Sequence, residues 1–295
     1  MTIDELEQHR RTVTTGYGTT SYLDVGEGAP ALFVHGLATS AYLWRKVVSE
    51  LAGRRRCLAV DLPLHGRTPA TAEQDFSLSG LARFLEDFCT ALELPPVDLV
   101  ANDTGGAIAQ VFAARNPGRV ATLTLTNCEA HDNLPPPGLL PTVVLARLRL
   151  LAPLARLVAR DPVRARKSVY GSGYEDVTTL PVPVVEHYLT PLYGTAESAR
   201  QFERMIRSLH KRDLLAMEDR LSRLEVPTLI VWGTGDRFFP ARWAYWLRDT
   251  IPGAETVVEL DGARLFFPDE RAAELAAALA PHWNRAATRE PAARR

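Results

Sequence analysis

Cysteine is scarce in this sequence, with Cys57, Cys89 and Cys128 the only three in 295 residues. Their odd number and wide separation exclude a disulfide framework, and their spacing matches no metal motif. Three reduced thiols are typical of a cytoplasmic protein, so we expect that location. We also expect no metal and no cofactor.

Excess charge and long apolar runs are missing as well. The 34 basic and 35 acidic residues leave a formal net charge of -1. This balance provides no electrostatic case for nucleic acid or a membrane as a partner. No apolar run approaches the roughly 20 residues that a spanning helix needs. The polar stretch 1–12 predicts no signal peptide.

The residues that are present indicate one large α/β domain. Hydrophobic residues make up 46% and charged residues 23%, as in ordinary globular enzymes. Residues 11–18 and 19–25 alternate like a hairpin. Short strand-like runs, most of them apolar without a period of two, then alternate with helical patterns, which predicts a mostly parallel central sheet with helices on both faces. The runs are 31–34, 57–60, 97–101, 121–127, 228–232 and 255–260.

Strand signals stop between Asn133 and Thr228. We therefore predict core segments at 1–132 and 225–286, an inserted helical cap at 133–224, and a flexible tail at 287–295. Basic residues cluster in the cap, and the sequence favours the solvated face of amphipathic helices over a membrane-surface or anionic-ligand role. These are Arg147, Arg149, Arg156, Arg160, Arg164, Arg166 and Lys167.

One stretch organises the rest of the chain. A predicted strand ending at Ala101 turns at once into a helix, and Asp103 stands at the turn between Ala101 and Gly105. Small flanking residues are what a sharp, strained strand-to-helix turn requires. The helix N-terminus beneath it favours negative charge. The pattern predicts that Asp103 is a nucleophile or acid/base group, and the alternative is a plain helix N-cap.

With the His35-Gly36 loop and the strand that ends at Asp236, this turn resembles the α/β-hydrolase superfamily. In this superfamily the sharp strand-to-helix turn is called the nucleophile elbow. An Asp at the elbow, with Gly-Gly shortly after it, is similar to the pattern of haloalkane dehalogenases and epoxide hydrolases. That resemblance implies that Asp103 attacks carbon to form an ester, which a His-activated water hydrolyses. It implies oxyanion-hole N–H groups from Leu37 and Thr104. Asp236 matches the triad acid, and Glu129 or Asp132 matches its alternative position.

Three departures from the family pattern alter this expectation. Thr104 and Leu37 replace the tryptophan and asparagine that hold the departing halide in dehalogenases. Ala38 replaces the proline of the epoxide-hydrolase loop. In that family two cap tyrosines protonate the epoxide oxygen, and the sequence alone does not identify such a pair among Tyr170, Tyr174, Tyr188 and Tyr193. Leu265 stands where the family has its catalytic histidine, and His282 lies in the predicted last helix.

Two other histidines follow predicted strands, at the edge where such sheets build their sites. His35 could bind substrate or only support its loop, and His131 could act beside Glu129 or be an ordinary loop residue. Their sequence positions make these two residues candidates to replace the missing base. We expect the substrate to contact them together with Glu129, Leu265 and Phe266. His9, His65, His187 and His210 have weaker sequence support.

The sequence predicts an enzyme that acts on a hydrophobic small molecule through Asp103. The reaction is either hydrolase-like attack or non-hydrolytic proton transfer, as in elimination, isomerisation or cyclisation. The alternative is a non-catalytic small-molecule binding protein or receptor. A serine esterase is disfavoured because the elbow has no serine. We expect a monomer or homodimer.

Overall fold

The computed structural model describes residue 1 and residues 3–289, and these form a sheet of eight strands with flanking helices. The strands are β1 Arg10–Thr15, β2 Gly18–Val25, β3 Pro30–Val34, β4 Arg56–Val60, β5 Val97–Asn102, β6 Val120–Thr126, β7 Thr228–Gly233 and β8 Ala254–Leu260. Their spatial order is β1-β2-β4-β3-β5-β6-β7-β8. β2 pairs antiparallel with β1 and β4, and every other pairing is parallel. The predicted hairpin and mostly parallel sheet are confirmed.

The α-helices account for most of the remaining regular structure. They are α1 Ile3–Gln8, α2 Arg45–Leu51, α3 Leu78–Ala91, α4 Thr104–Arg115, α5 Leu140–Arg147, α6 Leu151–Ala159, α7 Pro162–Ala165, α8 Val182–Tyr193, α9 Ala196–Ser208, α10 Lys211–Leu215, α11 Glu218–Leu221, α12 Arg242–Thr250, α13 Phe267–Glu270 and α14 Ala272–Arg289. β3, β5 and β7 are buried at every residue, which requires cover on both faces of the sheet. This burial explains why their sequences are largely apolar.

The described chain between β6 and β7 contains helices and irregular structure but no strand. One apolar pattern at 143–159 becomes two helices, because Arg149 has a positive φ of 59° that ends the helical path. The Tyr170 hydroxyl donates to the Ala38 carbonyl oxygen at 2.6 Å and ties this segment to the loop after β3. Of the tail predicted at 287–295, residues 290–295 lie outside the described chain, and the backbone of 287–289 continues α14.

The turn between β5 and α4 is closely packed. Asp103 has φ 55° and ψ −139°, a backbone conformation that costs of order 1–3 kcal/mol. A Cβ atom on Gly105 would lie 2.4 Å from the His35 carbonyl oxygen, and one on Gly36 would lie 2.1 Å from Asp103 Oδ2. Both close approaches require glycine, and together they hold the strained aspartate beside the β3 loop.

We expect Gly105→Ala to destabilise the protein by roughly 1–3 kcal/mol, because the added methyl group must displace backbone rather than a flexible side chain. Gly118→Ala is the matched control, since nothing lies within 4 Å of its added Cβ. Its effect should stay within about 0.5 kcal/mol. Urea unfolding of both variants measures the difference. Equal stabilities would contradict the close approach at Gly105.

Candidate active site

Asp103 lies at the carboxyl end of β5, with the first turn of α4 beside it. Its carboxylate accepts a hydrogen bond from a backbone N–H group, with the Leu37 N–H donating to Oδ2 at 2.9 Å. The neighbouring Thr104 N–H also favours the charged form and lowers the pKa of this carboxyl group. Both N–H groups that the resemblance assigned to an oxyanion hole therefore act on Asp103. An oxygen placed there is stabilised as an anion by fixed dipoles.

Glu129 follows β6 and lies beside the elbow. The Thr104 hydroxyl donates to Glu129 Oε1 at 2.8 Å, and the Gln110 side-chain amide donates to the Glu129 carbonyl oxygen at 2.7 Å. Glu129 Oε2 is buried and has no hydrogen-bond partner within the described chain. A buried carboxyl oxygen without a partner favours the protonated form, because the proton removes the uncompensated charge.

Asp236 follows β7, and its carboxylate is held by donors on both oxygens. Oδ1 accepts the N–H groups of Phe238 at 2.7 Å and Phe239 at 3.3 Å. Oδ2 accepts from the Asn127 side-chain amide at 2.7 Å. Sequence reasoning missed Asn127 and Asn102. Their position at the ends of two central strands was the available signal, since buried amides there must have partners.

These three carboxyl groups titrate far above their ordinary range. Burial raises the pKa of Asp103 well above its usual value, Glu129 adds to the rise, and the Leu37 and Thr104 N–H groups oppose it. Burial also raises the pKa of Glu129 to about 7 and that of Asp236 to about 6. Near neutral pH the site therefore holds both carboxylic acids and carboxylates. Such a set of groups can donate and accept protons.

A cavity of about 430 Å³ lies over Asp103 and Glu129. Its walls are mainly apolar and include Leu37, Leu139, Ile206, Phe238, Leu265 and Phe266. Asp103 and Glu129 are the only ionisable acids or bases among the described lining residues apart from two tyrosines, so no imidazole lines the cavity. Within the same described chain, no group of three or more metal-ligating side chains is placed to hold an ion. The site can accept an apolar molecule of moderate size.

His35 lies outside the cavity and supports the β3 loop. It is fully buried, its Nε2 accepts the Leu62 N–H at 3.0 Å, and its Nδ1 lies 2.8 Å from the Gly36 carbonyl oxygen. These partners assign the proton to Nδ1. Burial lowers the pKa of His35 to about 4, so the ring is neutral at pH 7. Its geometry is that of a loop support.

His131 also lies outside the cavity. Its Nδ1 pairs with Glu218, and its ring packs 5.0 Å from that of Trp246. The neighbouring Asp132 is half exposed and lies 4.0 Å from Lys211. The structure thus brings Asp103, Glu129, Leu37, Leu265 and Phe266 to one cavity. It does not bring His35 or His131 there.

The loop that carries Leu265 is anchored to the elbow strand. The Asn102 side-chain amide donates to the Leu265 carbonyl oxygen at 3.1 Å, and the Phe266 N–H donates to the Gly173 carbonyl oxygen. The Leu265 side chain lines the cavity. Where the resemblance implied an imidazole, this loop presents a saturated hydrocarbon that can exclude water but cannot move a proton.

The four tyrosines in the segment between β6 and β7 have separate surroundings. Tyr170 and Tyr193 line the cavity, but the Tyr170 hydroxyl already donates to Ala38. Tyr174 donates to Asp269 at 3.0 Å, and Tyr188 is buried away from the cavity. No two of these hydroxyl groups converge on Asp103 in the contacts of the described residues, so the geometry selects no pair that would protonate an epoxide.

Glu129→Gln should change how stability depends on pH. The pKa of Glu129 is raised from 4.5 to about 7 on folding, so the parent loses stability as pH rises through this range. Glutamine stays neutral, and the stability of the variant relative to the parent should rise by up to about 3 kcal/mol between pH 4.5 and 7. Urea unfolding at several pH values measures this. A pH-independent difference would contradict a buried, protonated Glu129.

Comparison with known proteins agrees with this architecture. The family model for the alpha/beta hydrolase fold matches residues 30–271. A haloalkane dehalogenase from Agrobacterium fabrum (strain C58 / ATCC 33970) is 36% identical over 133 residues, which are 43% of this chain and 41% of the relative. The 2-hydroxy-6-oxo-2,4-heptadienoate hydrolase of Pseudomonas putida (strain F1) is 38% identical over 118 residues, 39% of this chain and 43% of that protein. The matched part thus spans about two-fifths of these curated relatives.

Similarity of the backbone extends further than similarity of sequence. The crystal structure of a haloalkane dehalogenase from Agrobacterium tumefaciens C58 superposes with a TM-score of 0.77 at 22% identity. The superposition covers 94% of this chain and 96% of that structure. The predicted fold class and the resemblance to the dehalogenase-like branch are confirmed. The relatives' printed activities remain properties of those proteins.

Proposed function

Since the chain belongs to the α/β-hydrolase fold family, we propose that it is an enzyme acting on a hydrophobic small molecule by proton transfer at Asp103. The supporting observation is the composition of the cavity. Two buried carboxyl groups with raised pKa values face an apolar cavity. None of the described residues that line this cavity carries an imidazole.

Hydrolysis through an ester is poorly served by this arrangement. Attack by Asp103 needs only a carboxylate, but breakdown of the ester needs a base that activates water. Positioned general bases contribute about 10²–10⁴-fold. Leu265 lines the cavity, and the resemblance implies that base at its position. An ester formed at Asp103 would therefore persist, which disfavours hydrolytic turnover as the function.

Proton transfer uses the groups that are present. A carboxylate of the Asp103–Glu129 pair takes a proton from carbon beside a carbonyl group, and the electron pair of that C–H bond forms the enolate. The other carboxyl group, when protonated, gives its proton to the carbonyl oxygen. In an isomerisation the first carboxyl group returns its proton to another carbon, while the enol O–H proton goes back to the second carboxylate. In an elimination the enol O–H proton goes back in the same way, and the electron pair of the enol expels a leaving group with its bonding electrons from the next carbon. The low-polarity walls strengthen both transfers.

Deuterium incorporation tests this proposal without knowledge of the natural substrate. The protein is incubated in D₂O with a panel of apolar ketones, and mass spectrometry follows exchange of the protons next to the carbonyl group. We expect catalysed exchange for ketones that fit about 430 Å³. Asp103→Asn should slow it by about 10²–10⁴-fold. Asp132→Asn is the control, because Asp132 is half exposed outside the cavity.

The control variant should retain the parent rate. If ketones bind saturably to the parent protein but take up no deuterium and are otherwise chemically unchanged, the proton-transfer proposal is overturned. The same fold would then serve as a non-catalytic binding protein, which is the second function that a cavity without a catalytic imidazole supports.

A further inference from the structure

The cap carries most of the exposed large hydrophobic side chains of this protein. Of the twelve among the described residues, nine lie between residues 140 and 169. We call these nine the cap patch: Leu140, Val144, Leu148, Leu150, Leu154, Leu157, Val158, Val163 and Val169. Exposed apolar side chains concentrated in one segment are typical of an interaction site rather than of an ordinary solvated face.

The cap patch follows helical spacing on the outer side of two helices. Leu140, Val144 and Leu148 recur every four residues along α5 and its C-terminal cap, and Leu154 and Val158 do so along α6. The inner sides of both helices are already buried through other residues, Val143 and Ala146 on α5 and Leu151 and Ala152 on α6. Each helix is therefore apolar toward the core and toward the outside.

Basic side chains are interspersed among the residues of the cap patch along the chain. Between residues 140 and 169 there are seven cations and a single acidic residue, Asp161. Within the described chain, none of these cations forms an ion pair with a carboxylate at 4.0 Å or less. Those exposed are Arg147, Arg149, Arg160, Arg164 and Lys167. Exposed leucine and valine side chains interspersed with exposed cations complement an anionic lipid surface, which has negatively charged headgroups above a hydrophobic layer.

The helix geometry suits a position on such a surface rather than across it. No single described helix is long and apolar enough to cross a membrane. The segments Pro137–Arg147 and Leu151–Ala159 together reach that length and composition, but a bend of 113° separates them. At 1.5 Å per residue the longer segment extends about 16 Å, half of the roughly 30 Å hydrocarbon core.

We infer that the cap patch docks this protein onto an anionic lipid surface. The leucine and valine side chains enter the boundary between headgroups and acyl chains, and the arginines contact the lipid phosphates. Leu154, Val158 and Val169 are exposed and also line the cavity over Asp103. The docked face therefore includes part of the cavity wall, which gives a hydrophobic molecule dissolved in the lipid a short apolar route to the site.

The expectation of no membrane partner came from the net charge of the whole chain. That sum does not show that cations predominate over acidic residues between residues 140 and 169. A second copy of the chain is the other candidate occupant of the cap patch. Two such faces brought together would place their unpaired arginines side by side, and like charges at an interface disfavour association. The charge pattern therefore favours lipid.

Vesicle sedimentation tests the inference without any substrate, so its outcome is independent of the chemistry at Asp103. We expect the protein to bind vesicles of phosphatidylcholine with 30% phosphatidylglycerol and to bind pure phosphatidylcholine at least tenfold more weakly. Leu148→Ser with Leu157→Ser should weaken binding roughly tenfold or more. Neither residue lines the cavity. Arg147→Gln with Arg149→Gln should weaken binding about fivefold per arginine.

The matched control is Leu215→Ser, an exposed leucine on α10 outside the cap patch, which should leave binding unchanged. Circular dichroism melting verifies that each variant is folded. Absence of vesicle binding by the parent, or equal binding by the Leu148/Leu157 variant, would overturn the inference. Light scattering that shows a dimer dependent on Leu148 and Leu157, without vesicle binding, would assign the patch to a second copy instead.

Discussion

Incubation with a small apolar epoxide is expected to leave one persistent ester on Asp103. The carboxylate oxygen bonds to an epoxide carbon, the ring C–O bond breaks, and the ring oxygen takes a proton from Glu129 or water. No described residue lining the cavity carries an imidazole that would activate water, so we expect the ester to accumulate. Intact mass should rise by one epoxide equivalent with 1,2-epoxyhexane, and peptide mapping should place it on Asp103.

The rate of this labelling should increase with pH. Only the carboxylate form attacks, and burial together with Glu129 raises the pKa of Asp103. Labelling should thus be slow in mild acid and rise as Asp103 loses its proton. Asp103→Asn should abolish the adduct, whereas Asp132→Asn should retain it. An adduct on another residue, or none with an epoxide shown to bind, would mean that Asp103 is not accessible as a nucleophile.

Leu265→His should convert the persistent ester into a hydrolysed one. The Leu265 side chain lines the cavity, and its loop is fixed to the elbow strand through Asn102. An imidazole there would face the Asp103 ester, and a carboxylate at Asp236 could orient it. A positioned base contributes about 10²–10⁴-fold, so release of the diol should accelerate by that order. Gas chromatography of the diol and decay of the mass adduct measure the change.

Phe266→His is the matched control, because it adds the same ring to the adjacent cavity-lining position. It should leave the ester nearly as stable as in the parent. A folded Leu265→His protein whose ester persists as long as that of the parent would show that the loop does not direct residue 265 at the ester carbonyl. Equal gains in both variants would indicate that position does not matter and that any nearby imidazole suffices.

The architecture around Asp103 was predictable from local sequence. Continuous apolar runs identify strands buried on both faces, and small residues on each side of Asp103 permit its strained turn, as its φ of 55° shows. The resemblance assigned oxyanion-hole N–H groups to Leu37 and Thr104, and the Leu37 N–H donates to the Asp103 carboxylate at 2.9 Å. Near neighbours along the chain and fixed strand order determine these positions.

The directions of side chains on loops were not predictable in this way. His35 and His131 both follow β-strands, yet one ring supports a loop and the other pairs with Glu218. Their partners Leu62 and Glu218 are 27 and 87 residues away in the chain, so no local pattern identifies them. The same holds for Glu129, whose pKa of about 7 depends on burial and on Thr104, 25 residues distant.

The sequence by itself determined the elements, the elbow with Asp103 at its centre, and the absence of a histidine at position 265, since these depend on residue type and short-range periodicity. Only the tertiary structure decided which carboxyl groups share the cavity, which histidines face away from it, and which side of α5 and α6 meets solvent. Periodicity shows that a helix has an apolar side. It does not show whether the core or something outside the protein covers that side, because this depends on residues far away in the chain.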